Sequence, residues 1–165
     1  MDKQTDKQHE TFIEVAKKLN QEFNEVPVLY GSFGLERIIQ KGIKAADIDI
    51  LVRNELVQEH WDALKKCVEG MGFILKDEEE HEFERDGVRI AFAPETDVRW
   101  LTGGDPKTLN VTTIEEMRFR ELTVEQYLEL YEYLKEDSHR KETGKAERDK
   151  EKIRLIQEYL PRSSA

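Results

Sequence analysis

Two acidic residues at the start of an apolar run place the strongest constraint on this chain. The segment Asp47-Ile48-Asp49-Ile50-Leu51-Val52 is rich in branched apolar side chains, which favours a buried strand. Side chains at positions i and i+2 of a strand project from the same face of its sheet. The carboxylates of Asp47 and Asp49 are therefore predicted to share one face, where both can reach a single divalent cation.

A glycine–serine pair comes before these acids. It follows a short apolar run, Pro27–Tyr30, and 14 residues (33 to 46) separate Ser32 from Asp47, enough for a short helix and a return loop. Glycine at position 31 lets backbone N–H groups approach a phosphate closely, and the Ser32 hydroxyl and the helix N-terminus add further donors. Taken alone, Ser32 is equally consistent with an ordinary helix N-cap. Taken alone, the two acids are equally consistent with a solvated strand edge. Their order and spacing together favour a nucleotide–metal site.

The succession of Gly-Ser turn, short helix and Asp-x-Asp strand resembles the signature of the DNA polymerase β-like nucleotidyltransferase superfamily. The motif covers roughly residues 28–52, and the predicted order of elements extends the similarity to about residue 93. Small members of the superfamily include antibiotic nucleotidyltransferases and the minimal nucleotidyltransferases of bacterial toxin–antitoxin pairs. The resemblance implies that Gly31 and Ser32 bind the phosphates of a nucleoside triphosphate, with ATP as the first expectation. It also implies that Asp47 and Asp49 ligate Mg²⁺ or Mn²⁺.

The resemblance further implies a third carboxylate on a nearby strand, where it binds the metal or deprotonates the acceptor hydroxyl. The expected strand, Val88–Ala93, contains no acid. The candidates lie on either side of it: Glu82, Glu84, Glu95 and Asp97. Glu82 is preferred, because a Phe83 that packs inward would turn Glu82 towards the face that carries Asp49.

The net charge of the chain limits the classes of partner that it is expected to bind. The formal net charge is −10 and no Lys/Arg-rich block stands out, so duplex nucleic acid and anionic membranes are not expected as partners. The C-terminal part nevertheless has a local excess of basic residues: Arg140, Lys141, Lys145, Arg148 and Lys152. A solvated helical face is one interpretation. Because a triphosphate site needs cations, Arg140, Lys145 or Arg148 is the alternative prediction for a contact with the nucleotide.

The periodicity of apolar residues predicts a mixed-sheet α/β (α+β) fold with a helical C-terminal part. We expect a nucleotidyltransferase-like core at residues 7–100 and a helical region at 101–165. Helices are predicted at about 7–23, 35–39, 55–71, 122–134 and 148–160, and further strands at 73–75 and 88–93. One cysteine, no apolar leader and no long apolar run predict a cytoplasmic protein that does not enter a membrane.

The predicted function is metal-dependent transfer of a nucleoside monophosphate from a nucleoside triphosphate to a hydroxyl of a small molecule or protein. One alternative is a non-catalytic nucleotide-binding module that keeps the fold without the third acid. Another is an antitoxin-type interaction protein with a helical, toxin-like partner. Turnover would support the transferase, and binding without turnover would support the non-catalytic module. A co-purifying partner would support the antitoxin-type protein.

Overall fold

Helices and strands are interspersed along the chain in the computed structural model, which describes residues 3–40, 43–98, 105–136 and 141–163. The strands are β1 (Val28–Tyr30), β2 (Asp47–Val52), β3 (Ile74–Asp77), β4 (Glu82–Arg85), β5 (Val88–Pro94), β6 (Asn110–Ile114) and β7 (Met117–Glu121). The helices are α1 (Lys3–Phe23), α2 (Gly31–Ile39), α3 (Asn54–Gln58), α4 (Trp61–Gly70), α5 (Val124–Leu134) and α6 (Lys145–Ser163).

The strands of the described residues form one mixed sheet in the order β3-β4-β5-β2-β1-β7-β6. Strand β2 lies in the middle, antiparallel to β1 and parallel to β5, and β1 pairs in parallel with β7. The remaining neighbours are antiparallel. This mixed sheet with helices confirms the predicted α/β (α+β) class.

Each face of the sheet is covered by a different group of helices. On one face, Ile48 and Ile50 of β2 pack with Phe12, Val15 and other apolar residues of α1 and with α4. On the opposite face, Leu51 packs with apolar residues of α2, α5 and α6. Because strand side chains alternate, Asp47 and Asp49 share the face of Leu51, which the C-terminal helices cover.

Strands β6 and β7 extend the sheet in the region that was expected from the sequence to be helical. Their turn consists of Glu115 and Glu116, both with positive φ (48° and 68°), so none of the usual glycine or asparagine signals marks it. Strand β6 is a largely exposed edge and lacks a clear apolar alternation. The expected helical region 101–165 thus contains a hairpin that pairs with the core, and its status as a separate domain stays a prediction.

The predicted helix at 55–71 is also different in the structure. It is divided into α3 and α4, with His60 between them in a non-helical conformation. No helix of the described residues combines the length and apolar character that crossing a bilayer requires.

Candidate functional site

The acidic pair lies on strand β2 with its neighbours in register on both sides. Asp49 pairs with Tyr30 of β1 and with Ala91 of β5, and Ala91 in turn pairs with Glu82 of β4. Directly opposed residues in adjacent strands project from the same face. The row Tyr30–Asp49–Ala91–Glu82 therefore brings Asp49 and Glu82 to one face, separated by a single small side chain.

A second row runs beside the first. Asp47 pairs with Arg89, which pairs with Glu84. The Arg89 guanidinium contacts both glutamates of β4: its Nε lies 2.9 Å from a Glu84 oxygen and its Nη1 3.5 Å from a Glu82 oxygen. Phe83, between the two glutamates, is buried on the opposite face, which is why both carboxylates point towards the acidic pair.

Negative charge accumulates around Asp49. Burial raises its pKa to about 7, and the nearby Asp47 acts in the same direction. The pKa of Glu82 is also raised, first by burial and then by Asp47. Two lysines of α6, Lys152 and Lys145, lower the pKa of Asp49. The site thus concentrates carboxylates beneath a basic helix, an arrangement that a bound cation would stabilise.

The Gly31-Ser32 turn lies directly against Asp49. Gly31 has φ +74°, and a Cβ built there would fall 2.5 Å from Asp49 Oδ2, so no other residue fits without displacement. Ser32 is the second residue of α2 rather than its N-cap, a position that Tyr30 occupies without a capping side-chain hydrogen bond. The N–H groups of the first helical turn therefore remain available as donors beside the carboxylates.

A basic cleft of about 440 Å³ opens on one side of the turn. Its lining includes Ser32 and three cationic residues, Lys44, Arg148 and Lys152, against one acid, Glu151, which pairs with Arg154. The loop that carries Lys44 is held by the buried Gln8 amide, which donates to the Ala45 carbonyl at 2.8 Å. This cleft brings cationic side chains from a loop and from α6 to the serine of the turn.

Three basic residues of α6 share one helical face. Lys145, Arg148 and Lys152 are spaced i, i+3 and i+7, and the Lys152 ammonium lies 4.9 Å from the ring centroid of Tyr131 on α5. The sequence predicts nucleotide contacts for Lys145 and Arg148, but not for Lys152 or Lys44. Helical spacing alone could have identified Lys152, whereas Lys44 depends on a loop conformation. Arg140, the other predicted contact, lies outside the described residues.

A separate acidic cleft of about 400 Å³ opens at Asp49 itself. Its lining includes Asp49, Ala91, His81, Glu79, Glu80 and Asp97. The His81 backbone is left-handed (φ 52°), and its ring packs on Trp61 with centroids 4.3 Å apart. Trp61 Nε1 in turn donates to Glu78 at 2.9 Å. Asp49 thus lines the acidic cleft, whereas Ser32, beside Gly31, lines the basic one.

The other candidates for the third carboxylate occupy different surroundings. Glu84 forms ion pairs with Arg89 and Lys76. Glu95 lines a separate polar cleft with Glu25 and Arg53, near the far end of β2. Asp97 lines the acidic cleft but is exposed. Of the four, Glu82 is the one in register with Asp49.

A divalent cation fits the donor set of Asp47 and Asp49. Mg²⁺ is commonly bound by one or two carboxylates together with substrate phosphates, and does not require a cage made wholly of protein. In the described segments, no three side chains of the metal-binding types converge on one point. The raised pKa of Asp49 shows a carboxylate whose charge is poorly compensated, as expected of a group that binds a cation.

A further cleft lies away from this site. It measures about 530 Å³ and runs between α1 and α4, beside Lys17, Lys66 and Cys67. These helices cover the face of the sheet opposite Asp49, so this groove has no access to the acidic pair.

Solved structures share the fold. A solution structure of the antibiotic-resistance factor ANT(2'')-Ia is 17% identical, with a TM-score of 0.59, and the match covers 94% of this chain and 85% of that one. A crystal structure of ANT(2")-Ia in complex with adenylyl-2"-tobramycin is 16% identical, with a TM-score of 0.50, over 94% and 98% of the two chains. These likenesses confirm the nucleotidyltransferase-like fold.

Sequence comparison gives a relative at higher identity. No family model matches the chain. The uncharacterized protein YnaI of Bacillus subtilis (strain 168) is 30% identical over 154 residues, which cover 93% of this chain and 98% of YnaI. At that identity and coverage, the chain belongs to the same protein family as YnaI.

Proposed function

We propose that the protein is a metal-dependent nucleotidyltransferase that moves a nucleoside monophosphate from a nucleoside triphosphate, first of all ATP, to a hydroxyl of a small molecule. The observation that carries the proposal is the row Asp49–Ala91–Glu82, with Gly31 against Asp49, a basic cleft at Ser32 and an acidic cleft at Asp49. One cleft is basic and suits a triphosphate, and the other leads to the acids. A cytoplasmic location, where nucleoside triphosphates are abundant, belongs to the same proposal.

The triphosphate would lie in the basic cleft. The Ser32 hydroxyl and the N–H groups at the start of α2 donate to phosphate oxygens, and the helix dipole favours the negative charge. Arg148 and Lys152 line the same cleft, and Lys145 extends this basic face of α6 towards Asp49. Together these groups offset the charge of the phosphates and fix their orientation.

Asp47 and Asp49 would hold the divalent cation, Mg²⁺ or Mn²⁺. When bound, the cation neutralises charge on the phosphate oxygens and makes the α-phosphorus a better electrophile. The surrounding protein removes part of the Asp49 carboxylate from water, which strengthens electrostatic interactions there.

Glu82 is proposed as the general base. It accepts the proton of the acceptor hydroxyl while the acceptor oxygen bonds to the α-phosphorus and the bond to the β-phosphate breaks, releasing pyrophosphate. A raised pKa suits this role, because a base works best with a pKa nearer the working pH. Ala91 lines the acidic cleft and is the small residue between Asp49 and Glu82 in the sheet register. Glu82 lies outside that lining, so the acceptor hydroxyl would reach it across Ala91.

The acceptor would occupy the acidic cleft. No lysine or arginine lines this cleft among the described residues, whereas Glu79, Glu80 and Asp97 do. Such a lining favours a small molecule that carries amino groups as well as hydroxyls. Support comes from the fold neighbour ANT(2")-Ia, which was solved with adenylyl-2"-tobramycin.

A second candidate is a nucleotide-binding protein without turnover. The observation that favours it is Ala91, which lies beside Asp49 on the strand where the superfamily resemblance implies an acid. In this case the basic cleft and the acidic pair still bind a metal–nucleotide complex, but Glu82 deprotonates no acceptor. The antitoxin-type hypothesis, with its toxin-like partner, remains a prediction from the sequence.

The deciding experiment measures binding and turnover separately. The protein is incubated with each labelled ribonucleoside triphosphate and Mg²⁺ or Mn²⁺, and pyrophosphate release is followed with pools of acceptors that include tobramycin and simpler amino sugars. Metal-dependent binding with acceptor-dependent release supports the transferase. Binding without release supports the second candidate. Absence of metal-dependent binding in the wild-type protein contradicts both.

A further inference from the structure

Two tyrosines of α5 have buried hydroxyl groups with no hydrogen-bond partner among the described residues. Tyr127 and Tyr131 lie one helical turn apart, with ring centroids 6.2 Å apart and ring planes nearly parallel. Tyr127 is 0% and Tyr131 is 2% exposed to solvent. A buried hydroxyl without a partner costs stability, so each one calls for a physical reason.

The two hydroxyls have different neighbours. The Tyr127 oxygen fills the space over Gly34, where a built Cβ would fall 2.0 Å from it, so it packs against the interior of α2. The Tyr131 hydroxyl lies next to Ser32, which interacts with it closely enough to lower its pKa against the larger effect of burial. The contact between Tyr131 and Ser32 falls short of a well-formed hydrogen bond. Only the second tyrosine thus faces the phosphate-binding serine.

The ring of Tyr131 has a second contact in the same cleft. The Lys152 ammonium lies 4.9 Å from its centroid, within the range of a cation–π interaction. Ser32 and Lys152 both line the basic cleft, although one belongs to α2 and the other to α6. A single buried side chain therefore lies beside two groups that line this cleft from different helices.

We propose that Tyr131 is the positioning residue of the phosphate subsite: its hydroxyl orients the Ser32 hydroxyl, and its ring holds the Lys152 ammonium in the basic cleft. This inference rests on the proposed function. A phosphate oxygen only accepts hydrogen bonds, and a serine hydroxyl has one proton to donate. When Tyr131 donates to Ser32 Oγ, the Ser32 proton is free to point at the phosphate. Preorganising both groups lowers the cost of ordering them on binding.

The test is a double-mutant cycle on nucleotide binding. Calorimetry with Mg²⁺–ATP, and with Mg²⁺ and inorganic tripolyphosphate, compares the wild type, Y131F, S32A and Y131F/S32A. Losing one hydrogen bond weakens binding by about threefold to tenfold, so Y131F should weaken both ligands by about this factor. Because Tyr131 acts through Ser32, the effect of Y131F should disappear in the S32A background. The matched control is Y127F, which removes the neighbouring hydroxyl and should bind both ligands as the wild type does.

A second pair of variants isolates the ring. Y131L removes the cation–π contact that Y131F keeps, so Y131L should bind both ligands more weakly than Y131F does. In a K152M background, Y131L and Y131F should bind equally. Thermal unfolding is recorded for every variant, so that a loss of folded protein is separated from a loss of affinity.

The inference would be overturned if Y131F bound both ligands like the wild type, or if the effects of Y131F and S32A on affinity were simply additive. Either result would leave the proposed function intact. A wild-type protein that binds neither ligand would instead contradict the proposed function.

Discussion

Gly31 and Asp49 lie so close together that a single methyl group on Gly31 would fall 2.5 Å from the Asp49 carboxylate. The contact joins the start of α2 to the middle of the sheet, because Tyr30, the residue before Gly31, pairs with Asp49 in the antiparallel ladder of β1 and β2. The two halves of the sequence motif are thus one packing unit. The glycine keeps the space above Asp49 open for a ligand.

Gly31→Ala is expected to impair both folding and binding. The new Cβ meets the Asp49 oxygen, and the φ of +74° places alanine in a region that costs about 1–2 kcal/mol. Gly87→Ala is the matched control, since Gly87 has φ +80° and no atom within 4 Å of a built Cβ. Urea unfolding should show a larger loss for Gly31→Ala than for Gly87→Ala, and only Gly31→Ala should lose the Mg²⁺–ATP shift in melting temperature. Equal losses of stability would contradict the proposed contact.

Asp49 is expected to make stability depend on pH. Its pKa is about 7 in the folded protein and 3.8 ordinarily, so the folded state holds a proton that the unfolded state releases. The resulting stabilisation is fully present below about pH 4 and is lost as the pH rises to about 7. The difference between the two pKa values of Asp49 corresponds to a change in the free energy of unfolding on the order of 4 kcal/mol.

Asp49→Asn should remove this dependence. As the pH rises from about 4 to about 7, the free energy of unfolding of the variant should increasingly exceed that of the wild type. Above about pH 7 the difference between the two should be constant. Urea unfolding at each pH measures it. Wild-type affinity for Mg²⁺ with ATP should increase over the same pH range, because the cation competes with the proton. A stability difference that does not change with pH would show that Asp49 is already ionised.

Much of the fold could be predicted from local patterns. The apolar run of β2 and the helical spacing of Phe12, Val15 and Leu19 each indicated the right element, because burial imposes these periodicities. The β6–β7 hairpin could not be predicted in this way, since a Glu115-Glu116 turn carries no glycine and β6 is mostly exposed.

The site was predictable where its residues are neighbours in sequence. Asp47 and Asp49 share a face because of strand alternation, which spacing reveals. Glu82 meets them only through the order β4-β5-β2, which no local pattern specifies. Lys44 reaches the basic cleft through a loop that buried side chains hold, and Tyr131 through the packing of α5 on α2. Contacts of this kind depend on tertiary structure.

Glu82→Gln is expected to slow turnover while nucleotide binding is retained. Losing a positioned acid–base group usually costs about 10²–10⁴-fold in rate. Glu84→Gln is the matched control, because Glu84 lies on the same strand and face and also contacts Arg89, but only Glu82 is in register with Ala91 and Asp49. Pyrophosphate release and calorimetry on both variants separate rate from affinity. Equal rates for Glu82→Gln and the wild type would move the general base to Asp97 in the acidic cleft.

Gly34→Ala is expected to destabilise the packing of α2 on α5. A built Cβ falls 2.0 Å from the Tyr127 oxygen, and this ring, fully buried and stacked on Tyr131, has little room to move. Overpacking of this kind typically costs about 1–3 kcal/mol, although alanine gains up to about 1 kcal/mol over glycine inside a helix.

Tyr127→Phe should relieve most of that clash. It removes the oxygen and leaves Cζ, 3.2 Å from the built Cβ, as the nearest atom, so the relief is partial. It also removes a buried hydroxyl that lacks a partner among the described residues, so the single variant should lose little stability. Urea unfolding of the wild type, both single variants and the double variant gives the coupling directly. If Gly34→Ala is equally destabilising with Tyr127 and with Phe at that position, the hydroxyl does not lie against α2 as the structure places it.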